Sequence, residues 1–415
     1  MPGRHFLQIP GPTNVPERIL RAMDRPVPDH RGPELPGLVS EVTSGLTQIF
    51  QTASGEIVLF PGSGTGGWEA SIVNTLNPHD RVLAFNVGQF SHQFAECAQR
   101  LDMVVDEIDL PWGTGVPAEL VHERLSADRD HSYAAVLVVH NETSTGVTSN
   151  VGAVREAMNA AGHPALLLVD AVSSLGSIDF RFDEWKVDVA IAGTQKGLML
   201  PPGMAVVCAG TRAVARSEEV RSRRYFFDWR PVLAEMRQGY FPYTPATLML
   251  YGLREAIRML GEEGLAGVFA RHARLADGVR RAVHAWGLQI LCRNPQEYSN
   301  TVTAVVVPDG VDADAVRKAA EQRLDLSLGA GLSRLKGRVF RIGHLGALNE
   351  LEVLATLAGT EMALSMVGVQ VPVGAGVTAC ERYFIEEQVT PAGQSLVYSQ
   401  QSAVSSPNEV RTRQK

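Results

Sequence analysis

The sequence predicts an α/β protein in which a mostly parallel seven-stranded sheet carries helices on both faces and is followed by a smaller C-terminal α/β domain. Three observations predict it. Seven short apolar runs alternate with helical patterns between residues 56 and 210, the sign of repeated strand-helix-strand units. Most of those runs are apolar at successive positions and not at every second one, as strands covered on both faces require. The chain has 415 residues, 45% of them hydrophobic, enough for two cores.

Taken in order, residues 1–20 are a Pro-rich extended arm (IPGPTNVP) that cannot build a core of its own. A helical pattern covers 37–51, with Leu38, Val42, Leu46, Ile49 and Phe50 on one face. Strands are expected at 56–60, 81–86, 102–108, 134–140, 165–172, 188–193 and 204–210, with helices near 67–76, 90–101, 117–126 and 151–161. An aromatic loop begins after Arg223, and a long helical stretch runs from about 248 to 286. The smaller unit has strands near 288–292, 301–307 and 339–343 and helices near 312–323 and 349–366. The chain therefore divides into the arm, a large domain 21–268, a small domain 269–376 and a tail 377–415, whose weak pattern predicts partial disorder.

A net charge of -7 without a basic cluster argues against nucleic acid or an anionic membrane surface as partner. No run approaches the ~18 apolar residues of a membrane span, and the first residues lack a leader pattern. The C-terminal Arg-Gln-Lys is not a Ser-Lys-Leu address. A cytoplasmic protein is expected. Cys97, Cys208, Cys292 and Cys380 lie far apart without CxxC spacing, so neither a disulfide framework nor a metal site is indicated.

The chemistry concentrates in 165–203. One apolar run there ends at Asp170 and a second ends just before Lys196, in a Gly-Thr-Gln-Lys-Gly turn. Open α/β sheets place ligands at the carboxyl ends of their strands, which puts both groups at one edge. Such a pair also reads as a structural ion pair. Against that stands the scarcity of lysine: five lysines, Lys186, Lys196, Lys318, Lys336 and Lys415, face 33 arginines. A chain that writes its positive charge as Arg and keeps Lys in this turn needs an amine that can lose its proton, most commonly for a Schiff base with an aldehyde cofactor. An acid facing a pyridine nitrogen is the usual companion.

Pro61-Gly-Ser-Gly-Thr-Gly-Gly-Trp68 lies between a strand and a helix, where small residues and a helix N-terminus suit a phosphate; it reads equally as a plain turn. It is neither a Walker A loop nor a GxGxxG dinucleotide turn. His140 and Glu142, in HNETSTG, read as local structural partners. Arg341 stands on an apolar strand among Val339, Phe340 and Ile342, and its guanidinium fork suits a substrate carboxylate.

These segments carry a resemblance. VDAVSSLGSIDFRFDEWKVDVAIAGTQKG resembles the cofactor-lysine segment of class V, fold type I, pyridoxal-phosphate-dependent aminotransferases, closest to the serine:glyoxylate and alanine:glyoxylate group. IPGPTNVPE, FPGSGTGGWE, HNETSTGV, YFPYTPA, EEGL, RHARL, AWGL and FRIGHLG continue it, in family order, to about residue 376. The resemblance implies pyridoxal 5'-phosphate bound covalently by Lys196, with Asp170 at the ring nitrogen. It implies Ser63, Gly64 and Thr65 as the phosphate cup and Phe90 stacked on the ring. Thr143, Val172 and Gln195 join them around the cofactor. It further implies a homodimer with shared active sites, in which Tyr243 and Thr244 reach the other subunit's phosphate. Phe241 stands where relatives often carry Tyr or Trp, so the contact transfers only to those two. The arm is expected over the neighbouring subunit, with Gly11 near the substrate. The implied reaction is amino transfer to glyoxylate, with serine as donor; aspartate and alanine are the alternatives. A lyase of the same fold would need a cysteine in a Gly/Ser-rich small-domain loop, which is not seen. A non-catalytic cofactor-binding protein would fit a chain without the lysine.

Overall fold

The computed structural model describes residues 3–389. Its seven-stranded sheet runs, in spatial order, Glu56–Gly62, Gly203–Ala209, Val189–Gly193, Leu166–Asp170, Tyr133–Val139, Arg81–Asn86 and Val104–Asp109. Gly203–Ala209 is antiparallel to both neighbours, and the other pairings are parallel. Leu166–Asp170 and Val189–Gly193 are buried at every residue, which explains why they read as unbroken apolar runs.

Close packing of helix on sheet depends on glycine. A Cβ at Gly67, in the helix Gly64–Thr75, would lie 2.5 Å from Ile191 Cγ2, so any larger residue would lift the helix off the sheet. The long pattern over 248–286 is two helices, Thr247–Glu263 and Leu265–Ala285, parted at Gly264, whose φ of +75° is a conformation glycine tolerates.

The smaller sheet is five-stranded, in the order Phe6–Gln8, Leu326–Ala330, Val339–Gly343, Val302–Val306 and Gln289–Ile290. Two of these strands differ from expectation. Leu326–Ala330 was not foreseen, and the arm is not wholly irregular: Phe6–Gln8 pairs with Leu326–Leu328 in parallel, and Glu17–Met23 is a helix. Phe6–Gln8 thus adds an edge strand to this chain's own small sheet.

The tail also differs in part. Residues Ala375–Val389 form a helix against Leu265–Ala285, and its Cys380, Tyr383 and Phe384 enter the small-domain core. Glu361 holds its start by accepting from the amides of Gly374 and Gly376. The remainder of the expected tail lies outside the described residues. Among those described, no helix is long and apolar enough to cross a membrane.

Candidate active site

Six strands end on one side of the large sheet, and the segments that follow five of them enclose a cavity of about 130 Å³. Nine of the expected residues line it: Ser63, Gly64, Thr65, Phe90, Thr143, Asp170, Val172, Gln195 and Lys196. Trp68, Asn141 and Ser173 line it as well, and were not expected. A larger hollow, about 560 Å³, opens at the opposite strand ends around Leu166 and Arg212. Size alone would pick the wrong end of the sheet.

The helix Gly64–Thr75 begins in this wall. Its N-cap, Ser63, is extended, and the carbonyl of Ser63 accepts from Gly67, the first amide to be paired within the helix. The amides before it are free to face an anion. Gly64 is packed so closely on Val172 that a Cβ would lie 2.5 Å from its Cγ2.

Asp170 closes the strand Leu166–Asp170 and is 4% exposed. Its Oδ2 accepts from the Trp68 indole at 3.0 Å and its Oδ1 from the Val172 amide at 2.7 Å. Burial, with the charge of Glu142, raises the carboxyl to about 7, against the opposing pull of the Val172 and Trp68 donors and of Lys196. Lys196 follows Val189–Gly193 and donates to the Pro10 carbonyl at 2.5 Å. Burial lowers its amine to about 8, aided by repulsion from Arg341 and opposed by Asp170. Burial thus draws the acid and the amine toward neutrality from opposite sides, a perturbation that gathers at functional sites.

Phe90 stands in the first turn of the helix Gln89–Arg100. Its amide and that of Ser91 donate to the carboxylate of Glu142, which also accepts from the amide and hydroxyl of Ser144. Glu142 is fully buried and caps this helix, so its structural reading holds. Thr143 donates to Ser173 at 2.8 Å, and Ser173 in turn donates to the Asn141 carbonyl. His140 is held by Ser174 among Phe180 and Trp185, with burial lowering it to about 4, another structural role. Among the described residues no cluster could hold a metal ion.

Four expected residues do not line the cavity. Arg341 lies behind it, 6% exposed, donating to the carbonyls of Ala330 at 2.7 Å and Thr143 at 2.9 Å. Gly11 packs on the lysine of its own chain: a Cβ there would lie 2.4 Å from Lys196 Nζ. Thr13 ties the arm down by donating to the carbonyls of Gln195 and Lys196. Tyr243 commits its hydroxyl to the Leu59 carbonyl at 2.8 Å, and Thr244 is exposed, so neither reaches the cavity of its own subunit.

The lining fits pyridoxal phosphate. It combines free helix N-terminal amides, an amine of lowered basicity, a buried carboxylate and an aromatic wall. The Gln195 Oε1, beside Gly193, is buried without a hydrogen-bond partner in this wall. No local pattern marks Trp68, Asn141 or Ser173: the first ends a glycine-rich turn, the second lies two residues before Thr143, and the third follows Val172.

Comparison with known proteins gives the same answer. The profile of the family Aminotransferase class-V matches residues 5–336. The chain is 51% identical to the serine–glyoxylate aminotransferase of Methylorubrum extorquens, over 94% of this chain and 98% of that one. It is 44% identical to the L-aspartate–glyoxylate aminotransferase of Paracoccus denitrificans, over 95% and 99%. The crystal structure of ureidoglycine-glyoxylate aminotransferase from Bacillus subtilis superposes with a TM-score of 0.86 at 29% identity, covering 93% of this chain and 99% of that one. Fold, cavity and similarity agree: the chain belongs to the class-V aminotransferases, enzymes of the fold type I architecture whose cofactor is pyridoxal 5'-phosphate.

Proposed function

We propose that this aminotransferase moves the amino group of serine to glyoxylate, releasing hydroxypyruvate and glycine. The observation that carries the reading is the meeting of Lys196 and Asp170 in one cavity of a chain with nearly full-length likeness to serine–glyoxylate aminotransferases. Pyridoxal phosphate, when bound, supplies an aldehyde that takes up an amino group and a ring that draws electrons from the substrate's α-carbon.

The chain's own residues do the rest. The Ser63 hydroxyl, the amides of Gly64 and Thr65, and Gln195 would hold the phosphate. Phe90 and Val172, both in the cavity wall, would pack on the ring and exclude water. Asp170 would hold a proton at the ring nitrogen, with the linked hydroxyls of Thr143 and Ser173 in the same wall. Lys196 takes the α-proton from the donor and returns one in the second half-reaction, a task suited to an amine near pH 8. Arg341 binds the carboxylate shared by donor and acceptor, and Gly11 leaves room for both lysine and substrate.

The working unit in this reading is a homodimer, with Tyr243 and Thr244 of each subunit completing the other's phosphate site. In support, Tyr225 is 95% and Phe226 42% exposed, beside Phe227, which packs toward Gly66 of the phosphate turn. An aromatic surface next to a binding site is best accounted for by a covering partner. The four free cysteines suit the reducing cytoplasm.

The likeness to an L-aspartate–glyoxylate enzyme supports a second donor. Incubating the pure holoenzyme with glyoxylate and serine, aspartate or alanine, and measuring glycine, tests the choice. Serine is expected to be fastest; a negligible rate with serine beside a fast one with aspartate overturns it.

A further inference from the structure

Trp68 and Asp170 stand 102 residues apart in the chain and meet in the cavity wall. The indole is buried in the second turn of Gly64–Thr75 and stacked on Phe94, with ring centroids 5.4 Å apart and planes 23° from parallel. That packing fixes where its N–H points. It points at Asp170 Oδ2, while the Val172 amide takes Oδ1, so each carboxylate oxygen has its own donor and the plane of the group is set from two sides. A phenylalanine would fill nearly the same space. What only the indole adds is a donor that cannot accept, and that therefore favours an oxygen bearing negative charge.

We propose that Trp68 is a positioning residue: its indole N–H orients Asp170 and favours the ionised carboxylate that faces the ring nitrogen of bound pyridoxal phosphate. The inference rests on the reading of Asp170 given above. It also has a reason to matter. Burial brings Asp170 close to neutrality, where losing one of two donors changes how much of it is charged at working pH.

The test compares wild type, Trp68→Phe, Asp170→Ala and the double variant as holoenzymes. Cofactor affinity is read by ultrafiltration, and the pH midpoint of the bound cofactor's visible band by titration. Trp68→Phe is expected to bind pyridoxal phosphate about tenfold more weakly, the effect of losing a hydrogen bond to a charged group. Its midpoint is expected to move up by about one unit, and kcat to fall with KM for the donor unchanged. The double variant should bind no more weakly than Asp170→Ala, because the indole acts through the acid. Wild-type affinity and midpoint in Trp68→Phe overturn the proposal. So does an equal weakening by Trp68→Phe with and without Asp170, which would make the indole a packing residue only. Should Asp170→Ala itself bind and titrate like wild type, the role of Asp170 falls, and this proposal with it. If Trp68→Phe does not fold, site-specific replacement by the benzothiophene analogue of tryptophan, of the same shape with sulfur for N–H, carries the same expectations.

Discussion

Arg341 Nη1 donates to the backbone carbonyl of Thr143 at 2.9 Å, joining the small-domain sheet to the wall of the cofactor cavity. With Nε committed to Ala330, the guanidinium is fixed from two sides before any substrate arrives. Lysine cannot reproduce two such bonds and still present a further donor. Arg341→Lys is expected to raise KM for serine and glyoxylate roughly 10- to 100-fold, the loss of charge-assisted hydrogen bonds to a carboxylate, and to leave the cofactor's spectrum unchanged. Steady-state kinetics beside an absorption spectrum check it.

Gly11 has a φ of +94° and leaves no room for a Cβ beside the Lys196 amine. Gly11→Ala must move either the arm or the lysine. Cofactor affinity and kcat are expected to fall together, each by about tenfold or more, as a backbone conformation of this kind costs on the order of 1–3 kcal/mol for other residues. Ultrafiltration and initial rates measure both.

Glu142 accepts four hydrogen bonds with two carboxylate oxygens in a dry site. Glu142→Gln keeps the shape but turns one oxygen into a donor facing other donors. A loss of about 2–4 kcal/mol in apoprotein stability is expected, from the unpaired buried groups and the lost helix cap. Urea denaturation checks it.

Burial lowers His140 to about 4 and His272 and His344 to about 3, from an ordinary 6.5. The unfolded chain therefore binds three protons between pH 6.5 and about 4 that the folded chain refuses. Asp170, raised to about 7, acts in the opposite direction by one proton. Stability is present above pH 6.5 and is lost as pH falls toward 4, at up to about 2–3 kcal/mol per unit once the histidines titrate. Denaturant melts of the apoprotein at pH 7.5, 6 and 5 give the slope, and His272→Gln, which takes the net proton difference from two to one, should reduce it by about half.

The shared-site reading is checked by mixing. Lys196→Ala and Thr244→Glu are each expected to be inactive, the second because a carboxylate would face the neighbour's phosphate. After mixing and subunit exchange, half the dimers are hybrids with one intact site in two, so about a quarter of wild-type activity should return. No recovery among proven hybrids contradicts it.

What was legible in the sequence were features carried by consecutive residues. Leu166–Asp170 and Val189–Gly193 announced themselves because strands buried on both faces need apolar residues throughout. Lys196 stood out because lysine is rare in this chain. Leu326–Ala330 is LSLGA, too mixed to read as a buried strand, and Phe6–Gln8 takes its conformation only from pairing with it. The helix Ala375–Val389 hid its register in AGVTACERYFIEEQV, where few residues are strongly apolar. Trp68 with Asp170, and Glu142 with Ser91, are contacts between distant segments, and no local pattern encodes such a pair. Lys196 beside Pro10 and Gly11 was hidden in the same way, and only the fold brings that lysine under its own arm.

The central claim is that the Lys196 amine carries the cofactor. Reducing the holoenzyme with borohydride, digesting it and mapping the pyridoxyl adduct by peptide mass tests it directly. The account predicts the adduct on Lys196; an adduct on any other side chain, or none, contradicts it.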